Sequence, residues 1–368
     1  MNRIAALKIF LLGLVLTSTT YTAWGLDISN VPKSDWIQLF NGKDLVNWVP
    51  FIQTHKVGED PEKTFYVKDS ILWVDYSNYT GGLLGRMGSL SWEKRKFSYF
   101  LVRGVYQFWG TQVAGGPDWG KQNNGILYHS QSMASIVPTE YNGYPPISME
   151  CQLLGENNLQ NTDGTTANLC SIGSTVIING KRDNYWCQKA KPHNIIGLPW
   201  VTAEVLVYGD SLVKHIVMGD TVMTYTKLLR KVDNQPMKDG YIVIQAESAP
   251  TKFKSLEVLD LVGCMDMTSS SYRDYFVKND PTKCVVTKDW DSNLNPLREA
   301  LRIDANRISV KALGSHSLTV RDLEGKITLQ RKGNGPQAYV LGSMPAGVYF
   351  VSLQAQGSIY NRKFVSDN

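Results

Sequence analysis

Short stretches of alternating apolar and polar residues, separated by Gly, Asn and Asp, run from Trp36 to Leu261. A period of two is typical of strands with one buried face, because successive side chains of a strand point to opposite sides. No amphipathic helical pattern longer than two turns occurs in this span. Seven stretches are predicted as strands: Ile71–Val74, Tyr99–Phe108, Gly125–His129, Ile147–Leu154, Val201–Tyr208, Leu212–Met218 and Tyr241–Ala246. Many strands without helical partners predict an all-β fold, a two-sheet sandwich of the jelly-roll kind.

The pattern changes beyond this first series, which we assign to a domain at residues 26–262. Residues 263–301 are mostly polar and contain Asp-Pro and Asn-Pro steps, so we interpret them as a linker with one disulfide loop. Residues 302–368 return to short apolar stretches and predict a small second β-sandwich with its own core. Its predicted strands are Ile308–Val310, Leu318–Val320, Ala338–Val340, Gly347–Leu353 and Ile359–Val365.

The first 25 residues have the layout of an export signal. Arg3 and Lys8 form a basic start, residues 9–16 are almost entirely apolar, and Ala23 and Gly25 place small residues at a cleavage site. A membrane-spanning helix needs about 20 apolar residues, and threonines end this stretch too early. We therefore expect a signal peptide at 1–25, no transmembrane segment, and a secreted or cell-surface protein.

Cysteine placement agrees with export, because all five cysteines follow this leader and an oxidising compartment favours disulfides. Cys264 and Cys284 bracket a short loop and are predicted to pair. Cys170 with Cys187 is the second predicted pair, which leaves Cys151 over. No Cys-x-x-Cys motif and no histidine cluster with zinc-ligand spacing occurs, so a structural zinc is not expected.

Charge excludes one class of partner. The net charge of +5 is thinly spread, and the basic clusters at 94–96 and 227–231 lack the interleaved aromatic residues of a nucleic-acid surface. No nucleic-acid partner is expected. No cofactor is expected either; a sandwich of this kind is able to carry a structural Ca²⁺, but no acidic loop demands one.

Two predicted strands each present a glutamate and a glutamine on one face. In the strand around Glu150, alternation turns Met149, Cys151 and Leu153 to the core and Glu150 with Gln152 to the other side. In the strand that ends near Glu247, Tyr241, Gln245 and Glu247 share the face opposite the core. Such side chains suit sugar hydroxyls, and a glutamate is able to act as acid or base. Periodicity does not show that the two strands are neighbours, and a solvated sheet face is the simpler alternative.

A third candidate is the turn and strand that contain Asn124 and His129. Histidine titrates near neutrality and suits acid–base chemistry, although a histidine at a strand end is more often structural. His215 alternates with apolar residues and is predicted to pack in the core. Trp109, Trp119 and Trp186 lie in or near loops and are candidate platforms for sugar rings, because flat aromatic faces match the apolar face of a pyranose.

At these residues the sequence resembles the 3-keto-disaccharide hydrolase family, whose domain has the concanavalin A-like lectin/glucanase fold. The resemblance covers roughly residues 34–262. It begins at Trp36–Trp48, which is close to the family's opening LFNGKDLxxW, and continues through Asn123–Tyr128, where the family has NSGIxY. It includes E-x-Q-L at Glu150–Leu153 and closes on GYIxLQxExxPxxFxxIxxL at Gly240–Leu259.

The resemblance implies action on glycosides that are oxidised at C3 of the sugar, with carbohydrate as the substrate. It places Glu150 and Gln152 in the pocket, and Asn124, His129 and Glu247 nearby. Cleavage then proceeds either by elimination and hydration, since a C3 ketone acidifies the hydrogen on C2, or by direct hydrolysis with two carboxylates. The sequence carries Glu150-x-Gln152 with no second glutamate in register, which argues against a retaining mechanism of the laminarinase type.

The sequence also departs from the family pattern. The family's Asn-Ser-Gly is Asn-Asn-Gly here, the Asp that often follows the Glu-x-Gln strand is replaced by Leu154-Gly155, and an Asn-rich insertion follows at Glu156–Cys170. The missing Asp favours a non-catalytic, lectin-like carbohydrate-binding module, which we keep as the alternative to an enzyme, and a structural surface protein is a third reading.

The last 65 or so residues resemble the sorting domain of type IX secretion systems, which implies contact with secretion machinery; a generic accessory sandwich is the alternative.

Overall fold

The computed structural model describes residues 22–23, 26–28, 30–136, 145–161, 163–183, 185–193, 195–267, 269–285, 297–304, 307–312 and 314–366. Most of the predicted leader and the central part of the predicted linker lie outside these residues.

Strands dominate the described chain, and the first twenty lie between Thr22 and Gly263. They are β1 (Thr22–Ala23), β2 (Leu26–Asp27), β3 (Trp36–Gln38), β4 (Trp48–Ile52), β5 (Phe65–Lys68), β6 (Ile71–Val74), β7 (Gly88–Phe97), β8 (Tyr99–Phe108), β9 (Asn123–Ser130), β10 (Ser148–Leu154), β11 (Asn168–Ile172), β12 (Ser174–Ile178), β13 (Lys181–Asp183), β14 (Cys187–Gln188), β15 (Val201–Tyr208), β16 (Leu212–Val217), β17 (Asp220–Arg230), β18 (Gly240–Ala246), β19 (Thr251–Asp260) and β20 (Val262–Gly263).

The remaining eight strands follow β20 along the chain. They are β21 (Lys278–Asn279), β22 (Leu301–Asp304), β23 (Arg307–Val310), β24 (Ser315–Asp322), β25 (Ile327–Asn334), β26 (Gln337–Val340), β27 (Gly347–Ala355) and β28 (Ser358–Ser366). The α-helix α1 (Leu297–Ala300) has one turn, and 3₁₀ turns lie at Lys33–Asp35, Asp118–Gly120, Met133–Ser135 and Pro281–Lys283. No helix in the described ranges is long and apolar enough to cross a membrane.

Two large antiparallel sheets form the main domain. One has seven strands in the order β14-β11-β10-β9-β18-β7-β4, and the other has ten, β13-β12-β17-β16-β15-β8-β19-β6-β5 with β3 beside β19. Several neighbouring strands are far apart in sequence, such as β9 with β18 and β8 with β19, as in a jelly roll. The predicted all-β sandwich is confirmed, and all seven predicted stretches form strands. The structure adds long strands that these seven do not include, among them β7, β17 and β19.

The core lies between the two sheets and follows the predicted alternation. Met149, Cys151 and Leu153 of β10 join the buried apolar cluster together with Ile242 and Ile244 of β18. His215 is fully buried in the same layer, as predicted. Its Nδ1 lies 2.9 Å from the carbonyl oxygen of Ala167, which only accepts, so Nδ1 carries the hydrogen.

The second apolar cluster belongs to the C-terminal strands. Buried residues from Leu297 to Ala355 pack between a three-stranded sheet, β22-β23-β26, and a four-stranded sheet, β25-β24-β27-β28. This part of the chain therefore has its own core, as predicted, whereas the exact domain boundaries and the sorting role stay predictions. Both predicted disulfides, Cys170–Cys187 and Cys264–Cys284, are confirmed. Cys151 is a free, buried thiol.

Candidate active site

A cavity of about 730 Å³ opens on the outer face of the seven-stranded sheet. Strands supply its floor, with Asn123 from β9, Glu150 and Gln152 from β10, and Glu247 directly after β18. Each of these side chains is at most 6% exposed. The apolar residues of its walls are Leu83, Met87, Pro117, Trp119, Pro145 and Trp186, and the polar ones include Gln53 and Gln160.

The order of the strands brings the two predicted Glu/Gln pairs together. Strand β9 lies between β10 and β18, and Leu127 of β9 is paired with Glu150 on one side and with Val243 on the other. Because residues two apart in a strand share a face, Gln152, Gln245 and Glu247 line up beside Glu150. Alternation alone does not show whether β10 and β18 are close to each other. In the structure both strands pair with β9.

Gly125 makes room for this arrangement at the centre of β9. It is paired with Gln152 of β10, and a Cβ atom at this position would overlap Oε1 of both Gln245 and Glu150. Only a residue without a side chain leaves space for the two side chains to meet over the middle strand.

Glu150 is held in an environment that favours its neutral form. Burial and the negative charge of Glu247 raise its pKa well above the usual range for a carboxyl group, and a hydrogen bond from Gln245 opposes this in part. The Gln245 amide also donates from Nε2 to Oε1 of Glu247 at 3.0 Å. Gln245 thus bridges two carboxyl groups, one of which has a raised pKa that favours its protonated form.

Several buried polar atoms around this floor have no hydrogen-bond partner within the described part of the chain. They are both side-chain amide atoms of Asn123, Oε1 of Glu150, Oε1 of Gln245, and the hydroxyls of Ser89 and Ser91. Ser89 and Ser91 lie on β7, paired with Gln245 and Val243. Buried polar groups without partners are rare in folded proteins, and their gathering at one sheet face is what a hydroxyl-rich ligand requires.

Two exposed tryptophans stand at the rim. Trp119 is 42% exposed and Trp186 is 57% exposed. Asn158 of the insertion donates from Nδ2 to the carbonyl oxygen of Trp119 at 2.9 Å. The carbonyl oxygen of Trp186 accepts from the Ser171 amide at 2.8 Å, beside the Cys170–Cys187 disulfide. The backbone of both residues is thus held in place. Trp119 and Trp186, which the sequence suggested as contacts for sugar rings, both line the cavity.

A loop that sequence reasoning missed forms part of the wall. Leu83 and Met87 lie in it, and the buried Arg86 binds its backbone, donating from Nε to the carbonyl oxygen of Leu83 at 3.1 Å. The Arg86 guanidinium also donates to Glu62 Oε1 at 2.7 Å. The sequence signal for this loop is a glycine-rich segment at 81–88 that contains one arginine.

The model of the 3-keto-alpha-glucoside-1,2-lyase-like domain matches residues 35–259, well over half of the sequence. The chain belongs to this family. No curated protein gives a significant match. Among solved structures, a Bacillus subtilis protein of unknown function with a galectin-like fold is 8% identical, with a TM-score of 0.38, over 58% of this chain and 90% of its own. The lumenal domain of VIP36 is 9% identical, with a TM-score of 0.38 (62% and 89%), and a β-porphyranase from Bacteroides plebeius is 16% identical, with a TM-score of 0.35 (62% and 90%).

Within the family domain, Asn124 does not lie where we expected it. Its side chain points away from the cavity and is saturated: Nδ2 donates to the carbonyl oxygen of Gln245 at 2.9 Å, and Oδ1 accepts from the Gly125 amide. Asn123 occupies the cavity instead. The strand begins two residues earlier than predicted, at Asn123, and alternation along it turns Asn123 outwards and Asn124 inwards.

His129 also lies apart from the carboxyl groups. Between the pairs Tyr241–Ser130 and Val243–Leu127, β9 has two residues where β18 has one, so a bulge turns His129 inwards with φ of 49°. Its Nε2 lies 3.0 Å from the Gly209 carbonyl oxygen, and burial lowers its pKa to about 4. His129 is not among the residues that line the cavity with Glu150 and Glu247, and we leave it out of the proposed chemistry.

Tyr241 and Trp109 lie elsewhere too. Tyr241 shares the outer face of β18 but is six residues from Glu247, about 20 Å along the strand, and with His129 it lines a separate cavity of about 580 Å³. Trp109 packs edge-on against Trp73 at 4.9 Å and belongs to the ten-stranded sheet, near Lys252. Neither contributes to the cavity. Among the described residues, no group of three His, Cys, Asp or Glu side chains is arranged to hold a metal ion.

Proposed function

We propose that this protein cleaves the glycosidic bond of 3-keto-glycosides in the cavity above β9, β10 and β18. The observation that carries the proposal is the buried pair Glu150 and Glu247, bridged by Gln245, of which Glu150 has a raised pKa. Two carboxyl groups whose environments differ provide an acid and a base at one site. Membership of the lyase-like family supports the same chemistry.

Elimination followed by hydration fits these groups best. The C3 ketone acidifies the hydrogen on C2, and Glu247 removes that proton while the bond between C1 and the leaving oxygen breaks. Glu150, whose raised pKa favours the protonated form, gives its proton to the leaving oxygen. Water then adds to the C1=C2 bond, with hydroxyl at C1 and hydrogen at C2, so the net change is hydrolysis.

The surrounding amides would hold the sugar. Both side-chain amide atoms of Asn123 are without a protein partner. Gln152 lines the cavity and accepts from Asn168 Nδ2 at 3.2 Å through its Oε1, so we assign its Nε2 as the donor to a ligand hydroxyl or ketone. An amide donor to the C3 oxygen would stabilise the charge that develops there during proton abstraction.

The place of action is proposed to be outside the cytoplasm. Two disulfides, one of them at the cavity wall, favour an oxidising compartment. The N-terminal leader and the C-terminal sorting role predicted from the sequence belong to this proposal.

The test is to incubate the full mature chain with a 3-keto-disaccharide and to follow the release of free sugar. We expect turnover by the wild type and at least a 100-fold loss in both Glu150→Gln and Glu247→Gln. The exposed Glu59→Gln is the matched control and should retain full activity. Absence of turnover in the wild type, with sugar binding intact, would overturn the enzyme proposal in favour of a lectin-like module.

Reaction in heavy water distinguishes elimination followed by hydration from direct hydrolysis. In D₂O, elimination and hydration place deuterium on C2 of the released sugar, whereas direct hydrolysis leaves the C2 hydrogen in place. NMR of the product therefore decides between them.

A further inference from the structure

The cavity is chemically divided between its floor and its walls. On the floor, Asn123, Glu150, Gln152 and Glu247 form a contiguous polar patch on three adjacent strands. Neighbouring strands are about 4.8 Å apart and residues on one face of a strand recur about every 6.6 Å, so the patch is large enough to hold the 3-keto sugar.

The walls are predominantly apolar. Leu83 and Met87 come from the loop that Arg86 holds, Pro117 and Trp119 come from the next, and Pro145 and Trp186 complete the set. Gln53 and Gln160 contribute one amide each. A second hydroxyl-rich ring in this space would lose most of its hydrogen bonds to water, and each buried hydroxyl without a partner costs roughly 1–3 kcal/mol.

The backbone at both tryptophans is held by hydrogen bonds within the protein. Asn158, which is 3% exposed, donates to the carbonyl oxygens of both Trp119 and Lys121, at 2.9 and 2.7 Å. Trp186 is fixed by the Ser171 amide and the adjacent disulfide. Exposed indole rings on ordered backbone lose little conformational entropy on binding and favour flat partners.

We propose that the natural leaving group is a planar, apolar alcohol, such as a phenol, that lies between Trp119 and Trp186 while the 3-keto sugar occupies the polar floor. This inference rests on the proposed function and names its substrate class. The phenolic oxygen leaves with the proton of Glu150 as the C1–O bond breaks, so no further reactant is needed. A phenol is a better leaving group than a sugar hydroxyl, which matches a site with a single acid.

Binding without turnover tests the inference. In the full chain carrying Glu247→Gln, calorimetry compares phenyl 3-keto-glucoside, methyl 3-keto-glucoside and 3-keto-trehalose. We expect the phenyl glycoside to bind about tenfold more tightly than the other two. Trp119→Ala and Trp186→Ala should each remove most of that gain and leave the methyl glycoside unchanged.

The matched controls are Tyr185→Ala and Leu159→Ala, whose side chains are 74% and 67% exposed, next to Trp186 and Asn158. Both should preserve the preference. Equal or tighter binding of 3-keto-trehalose, or a preference that survives both tryptophan variants, would overturn the inference. Wild-type turnover is measured separately: a preference for the phenyl glycoside without turnover contradicts the proposed function alone, and turnover with a preference for the disaccharide contradicts this inference alone.

Discussion

Gln245 donates a hydrogen bond of 3.0 Å from Nε2 to Oε1 of Glu247, two residues further along the chain. The same amide hydrogen-bonds Glu150 and lowers its pKa against the opposing effects of burial and of Glu247. Replacement by leucine removes both contacts, so we expect the pKa of Glu150 to rise further. If Glu150 acts as the acid, the alkaline limb of the kcat profile should move to higher pH in Gln245→Leu while kcat falls. If the alkaline limb of the profile does not move in this variant, Glu150 is not the acid of the reaction.

Glu150→Gln should stabilise the protein at alkaline pH. The pKa of Glu150 is raised in the folded state, so its stability contribution is complete below the pKa of the unfolded chain and is lost as pH rises through the folded pKa. A neutral glutamine avoids that loss. Calorimetry at pH 9 should give a higher melting midpoint for the variant than for the wild type, and calorimetry at pH 4 should give no such increase. Each 1 kcal/mol of unfolding free energy that the wild type loses at pH 9 corresponds to about 2–4 °C. A melting midpoint that shifts by the same amount at pH 4 and pH 9 would contradict a raised pKa for Glu150.

Gly125→Ala should abolish turnover. A methyl group there overlaps Oε1 of Gln245 and of Glu150, so one of the two side chains must leave its place. Gly347→Ala is the control, because a Cβ at that position has its nearest neighbour 3.8 Å away. Initial rates with a 3-keto-glycoside, alongside melting curves, distinguish loss of the site from loss of the fold.

Acid should destabilise the main domain below pH 6.5. Burial lowers the pKa of both His129 and His215 to about 4, below the value of 6.5 in an unfolded chain. Their contribution is therefore present above pH 6.5 and is lost as pH falls to 4, by up to about 1.4 kcal/mol per pH unit for each imidazole. Urea unfolding at pH 7, 6, 5 and 4 measures this slope. His215→Gln should reduce it, and a pH-independent free energy of unfolding would contradict it.

Removal of the Cys170–Cys187 disulfide should weaken substrate binding more than it slows the chemical step. The bond lies in the cavity wall and joins the strand next to β10 to the segment that carries Trp186. We expect the double alanine variant to raise KM several-fold and to lose roughly 3 kcal/mol of stability. The Cys264–Cys284 pair closes a loop of similar length, 20 residues against 17, away from the cavity. Its removal should cost similar stability and leave KM unchanged.

Local pattern was sufficient to predict which face each strand buries, but not which strands meet. Alternation placed Glu150 and Gln152 correctly because side-chain direction depends only on period two. The neighbourhood of Glu150 and Glu247 depends on pairing across 97 positions, for which the sequence has no local signal. Asn123 and Asn124 are adjacent and therefore face opposite sides of β9, and the residue types alone did not indicate which of them faces the cavity.

Irregular backbone accounts for the other differences. The bulge that turns His129 inwards adds one residue to β9, and nothing in the residue types around it marks the position. Trp109 and Trp119 were equivalent candidates in the sequence, yet one follows β8 on the ten-stranded sheet and the other lies in the loop that Asn158 binds. Loop tryptophans can be assigned to a sheet only when the loop's own contacts are known.

The second sandwich packs on the side of the molecule away from the cavity. Leu323, in the turn between β24 and β25, contacts the apolar cluster on the outer face of the ten-stranded sheet, and Lys363 donates to the carbonyl oxygen of Val277 at 2.7 Å beside it. An immobilised protein held through its C-terminal sandwich would therefore present its open cavity to the surrounding medium. Large or anchored glycosides could then reach the site without the attachment being released.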